Sequence, residues 1–156
     1  MIGGSSQTDY SMDFHERALS SSSLGKSPPR RNHKADSATI SPVMSDCLFC
    51  KIIAGKIPSK KVYEDDLAYA FEDINPQAPT HVLIIPKRHL VDIKEATEHD
   101  AEILGHLNLV AAKIARERNL ERGYRTVYNV GPDSGQSVFH LHLHLLGGRS
   151  MSWPPG

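Results

Sequence analysis

Short apolar runs, separated by Gly, Pro and acidic residues, follow one another from Cys47 onward. Continuous or alternating apolar positions predict strands, and they fall at 61–64, 68–71, 81–85, 124–129 and 138–146. Asp65-Asp66 predicts a turn between the first two strands, and Pro86 closes the third.

One segment has a different period. Between Thr97 and about Asn119, apolar residues recur at helical spacing: Ile103, Leu104, Leu107, Val110, Ala111 and Ile114. Thr97 is a suitable N-cap for this helix. One long helix beside several short strands predicts an α+β fold with a mostly antiparallel sheet.

The first 45 residues have another composition, rich in Ser and Pro and poor in large apolar side chains. Such a segment cannot bury enough apolar surface to offset its ordering entropy, so we expect 1–45 to be a disordered, solvated tail. Its Ser and Arg would suit a transit peptide, but Asp9, Asp13 and Glu16 would not. The chain has 156 residues, which leaves little room for a second full domain. We therefore expect residues 46–156 to form a single domain.

The charge balance limits the choice of partners. Lys plus Arg number 18 and Asp plus Glu number 18, so no overall field attracts nucleic acid or an anionic membrane. The apolar runs are of strand length, too short to cross a bilayer. The two cysteines, Cys47 and Cys50, are too close for a disulfide framework. We therefore expect a cytoplasmic protein, with a nuclear location or organellar targeting by the tail left open.

Every second residue from His140 to His144 is a histidine, and each intervening residue is leucine. In a strand the three imidazoles would share one face, about 6.6 Å apart, while the leucines face the core. Adjacent imidazolium ions would repel, so most of these rings must be neutral near pH 7.

Three interpretations of this segment remain open: a solvent-facing edge, a metal site, or nucleophilic and acid/base catalysis at phosphorus. The preceding loop, Gly131 to Ser137, offers small residues whose N–H groups can approach an anion, and Ser137 adds a hydroxyl donor. This loop favours the third interpretation.

The run His140-Leu141-His142-Leu143-His144-Leu145-Leu146 resembles the His-x-His-x-His-x-x signature of the histidine-triad superfamily. The stretches around it, such as Pro76 to His81, Gly135-Gln136-Ser137 and Trp153 to Gly156, are similar to the Hint branch in particular. The resemblance implies the HIT fold, with five strands, one long helix and a short N-terminal helix. It also implies hydrolysis of purine nucleoside phosphoramidates and acyl-nucleotides, such as AMP–lysine, to AMP or GMP without a catalytic cofactor.

The same resemblance implies residue roles. His142 would be the nucleophile that forms a covalent nucleotidyl-histidine intermediate, with His144 and Ser137 on phosphate oxygens and the leaving group. His140 and His81 would support the orientation and charge of His142. The implied nucleotide contacts are Asp73 and Ile74 at ribose and base, and Asn129, Gly135 and Gln136 on the phosphate side. Members are homodimers with one continuous ten-stranded sheet, in which Trp153 would lie near the partner's site.

Cys47-Leu48-Phe49-Cys50 resembles a pair that supplies zinc in some branches, where His89 and His140 match the other two ligands. Two Cys with two His would complete a structural zinc site. A lone C-x-x-C pair can also serve redox chemistry or have no function. A thioredoxin-like site is less favoured, because no helix clearly follows the pair within a βαβ pattern.

Rival functions also follow from the sequence. A nucleotidyl transferase commonly lacks the third histidine, which is present here as His144. A dinucleoside polyphosphate hydrolase would need more room than one mononucleotide. A nucleotide-dependent scaffold could use the basic, Pro-rich stretch Pro28-Pro29-Arg30-Arg31 as its docking element.

Overall fold

The computed structural model of the protein describes residues 46–155. The predicted tail, residues 1–45, and Gly156 lie outside the described residues. No helix in the described range is long and apolar enough to span a membrane.

Five strands form one sheet, and every neighbouring pair is antiparallel. They are β1 (Lys61–Glu64), β2 (Ala68–Glu72), β3 (Thr80–Pro86), β4 (Tyr124–Tyr128) and β5 (Leu143–Gly147). Their spatial order is β1-β2-β3-β5-β4, so β3 is central and β4 is an outer strand. Together with the helices, this sheet confirms the predicted α+β fold.

Each face of the sheet is covered by a helix. The long helix α2 (Ala101–Glu117) presents a buried stripe that includes Leu107, Val110 and Ile114. These residues form the main core with the strand residues on their side, among them Ile84 and Leu145. The short helix α1 (Leu48–Ile53) covers the opposite face, where Phe49 and Ile52 pack with Phe71, Leu83 and Ile85.

The long helix begins later than the sequence predicted. Thr97 caps a separate 3-10 turn, Glu98–Asp100, and α2 starts at Ala101. The Asp100 carboxylate accepts hydrogen bonds from the Thr97 backbone N–H and from its hydroxyl. The predicted N-cap therefore caps a short turn that precedes the helix, and the apolar residues of helical period, which begin at Ile103, all lie within α2.

The predicted strand 138–146 is wrong in its first half. The chain bends at Val138, Phe139 and His140, and β5 begins only at Leu143. The Leu141 N–H donates to the Leu90 carbonyl, in the loop after β3, and so leaves the strand register. Leu141, Leu143 and Leu145 are nevertheless buried, as the alternation predicted.

Shortening one buried side chain of the central strand should test this packing. Ile84 is fully buried between the sheet and α2, so Ile84→Ala is expected to lower the free energy of unfolding by about 2–5 kcal/mol. Urea unfolding followed by circular dichroism measures the change. Leu109→Ala is the control: this α2 side chain is 70 % exposed, and its loss should cost less than about 0.5 kcal/mol.

Candidate active site and metal-ligand cluster

A cavity of about 450 Å³ opens on the face of the sheet that α1 covers. One part of its wall is apolar and includes Phe49, Ile52, Phe71, Leu83 and Val138. The other part is polar and is made by side chains from three places in the sequence: Asp73, Asn75, Gln77, His81, Ser137, His142 and His144. An apolar slot with a few convergent polar groups is typical of a small-molecule site.

Six of the residues implicated by the sequence line this cavity: Asp73, Ile74, His81, Ser137, His142 and His144. His140 is fully buried behind it, and Asn129 reaches the cavity only through His144. Gly135 and Gln136 are not part of its wall. The structure therefore brings the central and third histidines of the triad to the cavity, and it places the first on the side of the cysteines.

Of the three alternating histidines, only His144 lies within strand β5. His144 lies on β5 directly opposite Leu83 of β3, which puts it on the face that α1 covers. His142 precedes β5, and its ring centroid lies 4.9 Å from that of His144. The bend before β5 thus brings these rings closer together than a regular strand would.

The orientation of His142 is fixed by a backbone hydrogen bond. Its Nδ1 lies 2.7 Å from the His140 carbonyl oxygen, so Nδ1 carries a proton and donates it. In the neutral ring, Nε2 then keeps a lone pair. Phe49 packs edge-on against the ring, with 5.4 Å between centroids. The hydrogen bond therefore fixes the tautomer of the neutral His142 ring and leaves Nε2 as the nitrogen that can act as a nucleophile.

A second chain of hydrogen bonds fixes His81 and His144. The Gln77 backbone N–H donates to Nδ1 of His81 over 3.1 Å, so the proton of the neutral His81 ring is on Nε2. This Nε2 lies 2.9 Å from Nδ1 of His144, which must accept. The proton of His144 is therefore on Nε2.

Burial keeps these rings neutral. Loss of solvation, with smaller contributions from His142 and His81, lowers the pKa of His144 to about 4. Burial also lowers the pKa of His81, against the opposing attraction of Asp73, whose Oδ2 lies 3.5 Å from its Nε2. Near pH 7 the His144 ring is uncharged and acts as an Nε2–H donor.

Asn129 contacts the same nitrogen of His144. Its side-chain nitrogen lies 3.4 Å from Nε2. When the nitrogen and oxygen positions of this amide are exchanged, its oxygen accepts the Nε2 proton. Asn129 can thus orient His144 from the outer strand side, as the residue after β4.

The loop before the histidines is braced from inside by Gln136. Its Oε1 accepts from the Gly131 N–H at 2.8 Å, and its Nε2 donates to the Val91 carbonyl at 2.9 Å. Gly131 and Gly135 both have positive φ, which glycine adopts without strain. The amide of Gln136 is thus used within the fold, and Ser137 is the residue of this loop that lines the cavity.

Cys47, Cys50, His89 and His140 form a separate cluster whose four ligand atoms lie within 4.8 Å of one another. Cys47 Sγ is 3.4 Å from His140 Nδ1, and Cys50 Sγ is 3.4 Å from His89 Nδ1 and 3.6 Å from His140 Nδ1. Zn–S and Zn–N bonds of about 2.3 and 2.05 Å in a tetrahedron separate sulfur from nitrogen by about 3.6 Å. The cluster therefore fits a tetrahedral zinc ion in both donor type and spacing.

His140 is oriented toward this cluster. Its Nε2 donates to the Pro86 carbonyl over 2.9 Å, which leaves the Nδ1 lone pair facing the thiols. Such a bond to the second ring nitrogen is common for histidines that bind zinc. Without a cation, burial raises the pKa of the Cys50 thiol to about 11, so a metal ion would be needed to hold this group as a thiolate.

Asp73, His81 and His144 also lie within metal-binding distance of one another. However, the nitrogens of His81 and His144 that face one another already form a hydrogen bond, so they have no free lone pair for a metal ion. His81 Nε2 carries a proton, because Nδ1 accepts from Gln77, and His144 Nδ1 accepts from His81. We therefore assign this group to hydrogen bonding and the cysteine cluster to metal binding.

Sequence reasoning missed the apolar wall supplied by α1, namely Leu48, Phe49 and Ile52. A helical i, i+1, i+4 spacing relates these residues, but helix α1 has only six residues and so gives a weak periodic signal. It also missed Gln77, whose backbone rather than side chain orients His81. No residue-type signal identifies a backbone donor.

The profile of the HIT domain matches residues 54–151. Among relatives with similar sequences, the 14 kDa zinc-binding protein of Zea mays is 56% identical over 114 residues, which cover 72% of this chain and 89% of that protein.

Among solved structures, the HIT family hydrolase of Legionella pneumophila is 54% identical, with a TM-score of 0.70, and the match covers 71% of this chain and all of that one. The histidine triad nucleotide-binding protein of Candida albicans is 35% identical, with a TM-score of 0.60, over 70% of this chain and 84% of that one. Together with the five-stranded antiparallel sheet and the three alternating histidines, these matches show that the chain belongs to the HIT family.

Proposed function

We propose that this HIT protein hydrolyses purine nucleoside phosphoramidates and acyl-nucleotides to the nucleoside monophosphate. The observation that carries the proposal is the free Nε2 of His142, whose Nδ1–H is held by the His140 carbonyl. A neutral imidazole beside a Gly/Ser loop suits nucleophilic attack at phosphorus. The solved relatives named as a hydrolase and as a nucleotide-binding protein support it.

The cavity offers each part of a nucleotide a suitable surface. Apolar side chains, including Phe49, Leu83 and the fully exposed Ile74, would pack on the base. The Asp73 carboxylate would accept hydrogen bonds from the ribose hydroxyls. Ser137 and His144 would donate to phosphate oxygens, because both are donors on the polar side of the cavity.

The reaction proceeds in two displacements. The Nε2 lone pair of His142 attacks phosphorus, the P–N bond breaks with its electrons on nitrogen, and this nitrogen takes up a proton from solvent and leaves as an amine. Water then attacks phosphorus, the imidazole leaves with its electron pair, and the monophosphate is released. The attacking water gives one proton back to solvent, which replaces the proton that the amine took up, so one water is consumed overall.

Neighbouring residues would support these steps without changing charge themselves. His144 Nε2–H and Ser137 would stabilise negative charge on the phosphoryl oxygens. The carbonyl of His140 would stabilise the His142 imidazolium that forms when Nε2 bonds to phosphorus, and His81 would hold His144 in the donating tautomer.

We further propose that Cys47, Cys50, His89 and His140 hold a structural zinc ion. The tetrahedral spacing and the name of the maize relative support this assignment. A bound zinc ion supplies a cross-link between the start of the domain and the histidine segment. The ion takes no part in the two displacements.

A homodimer that continues the sheet through β4 is also part of the proposal. As an outer strand, β4 has one edge without a partner strand among the described residues, and unpaired edges are suited to strand addition. Light scattering on the purified chain should give twice the monomer mass. A monomer at micromolar concentration would contradict it.

A comparison of substrates tests the function. Adenosine phosphoramidate, an acyl-adenylate and a diadenosine polyphosphate are assayed under steady-state conditions, and we expect the first two to be preferred. Preference for the third would indicate the dinucleoside polyphosphate hydrolase alternative. Binding of nucleotide without turnover of any of them would indicate a scaffold.

Asp73→Asn should separate binding from chemistry. Asparagine keeps the oxygen that accepts from the Asn75 N–H but removes the charge, so we expect about tenfold weaker binding with kcat changed less than about threefold. The variant should also lose the preference for ribose over 2′-deoxyribose substrates. Asp133→Asn, an exposed acid in the loop, is the matched control. An unchanged KM and an unchanged ribose preference in Asp73→Asn would contradict the ribose contact.

A further inference from the structure

We propose that Arg149 is a positioning residue for the His81–His144 pair, an inference that rests on the function proposed above. Arg149 lies two residues beyond β5 and does not line the cavity. It reaches the pair through one intermediate, the main chain of Gln77.

The guanidinium group holds the Gln77 carbonyl with two donors. Both Nε and Nη2 of Arg149 lie 3.2 Å from the Gln77 oxygen, and Nη1 donates to the Ser150 carbonyl at 3.0 Å. Hydrogen bonds from an ionised donor are stronger than neutral ones. The third bond orients the guanidinium group, so that its fork points at a single carbonyl.

The loop that Arg149 holds is otherwise tied mainly to itself. Within 74–79, the Asn75 N–H bonds to Asp73 and the Gln77 side chain bonds to the Asn75 carbonyl. Arg149 is the side chain outside 73–81 that hydrogen-bonds this loop within the described part of the chain. Since Asn75 and Gln77 are exposed, packing alone does not fix the loop.

Gly148 allows the close approach. Its φ is +85°, and a Cβ at this position would lie 3.0 Å from Cβ of Pro79. A larger residue at 148 would push the two segments apart and move Arg149 away from Gln77. The backbone at 148 is therefore adapted to bring the arginine onto this loop.

The loop position matters because the Gln77 N–H sets the tautomer of His81. While this N–H donates to Nδ1, His81 keeps its proton on Nε2 and His144 keeps its proton on the nitrogen nearer Asn129. If the loop moves, Nδ1 is free to take up a proton. The groups that face His81 are Asp73 and Glu72, which favour its protonation, and His144. A protonated His81 would change the charge beside the reacting phosphate.

The test compares Arg149→Ala with Arg125→Ala. Arg125 also binds a main-chain carbonyl of the same terminal segment, that of Ser152, but it makes no bond to Gln77. We expect Arg149→Ala to lower kcat about five- to tenfold, with a smaller rise in KM, and to move the acidic limb of the kcat–pH profile to higher pH. Arg125→Ala should behave like wild type, and Arg149→Lys, which keeps one ionised donor, should recover part of kcat.

Imidazole ¹⁵N NMR provides a readout that needs no substrate. Wild type should show His81 protonated on Nε2 only near pH 7, and Arg149→Ala should show exchange or protonation at Nδ1. Wild-type kcat, pH profile and ¹⁵N pattern in Arg149→Ala would overturn the inference, and so would equal losses in Arg149→Ala and Arg125→Ala. If wild type turns over none of the substrates, the proposed function fails, and the ¹⁵N comparison alone decides the role of Arg149.

Discussion

Replacement of His142 by alanine is expected to lower kcat for adenosine phosphoramidate by at least about 10⁴-fold, because it removes the nitrogen that attacks phosphorus. AMP affinity should change little, since the apolar slot, Asp73 and Ser137 remain. Steady-state turnover and calorimetric titration with AMP measure the two quantities. Acid-quenched wild type should carry a covalent nucleotidyl adduct by mass spectrometry, and the variant should carry none.

His99→Ala is the matched control, because His99 is an exposed histidine on the 3-10 turn before α2. It should keep wild-type turnover and the adduct. Turnover by His142→Ala within tenfold of wild type would refute the nucleophile assignment. An adduct that persists in His142→Ala would have the same meaning, since another side chain would then carry the nucleotide.

Loss of the metal cluster should have the second large effect. Purified wild type is expected to contain about one zinc ion per chain by elemental analysis, and Cys50→Ser should contain almost none. The same variant should melt at least about 10 °C lower, because the cross-link between helix α1 and the histidine segment is lost. Scanning calorimetry with and without added zinc measures the difference.

His106→Ala controls for the loss of a side chain outside the cluster. His106 bonds to Asp65 at the turn between β1 and β2, so the variant should retain its zinc. A wild-type protein that contains no zinc, binds none when it is added, and melts at the same temperature as Cys50→Ser would refute the metal assignment.

Much of the fold could be predicted from local pattern. The period-two and helical patterns indicated all five strands and the long helix, because burial on one face imposes these periods. Leu141, Leu143 and Leu145 are buried as their alternation with histidine requires. The alternation did not reveal the bend before Leu143, which results from non-local bonds such as that from Leu141 to Leu90.

The site was predictable only where residue types are informative. Histidines at 140, 142 and 144 and the two cysteines attract attention by their chemistry. The Gln77 N–H, the Gln136 brace and the apolar wall from α1 depend on backbone groups or ordinary side chains brought together by folding. The resemblance placed Gln136 beside the phosphate, but its role as a brace, like the role of the Gln77 backbone, depends on contacts that only the folded chain makes.

Phe49 lies in the sequence between the two cysteines and packs edge-on against both His140 and His142. Helix α1 therefore belongs at once to the metal cluster and to the wall of the cavity. Substitutions at Cys47 or Cys50 should therefore weaken nucleotide binding, although neither thiol lines the cavity. Reciprocally, a tightly held nucleotide should slow the removal of zinc by chelators, since both ligands favour the same placement of one short helix.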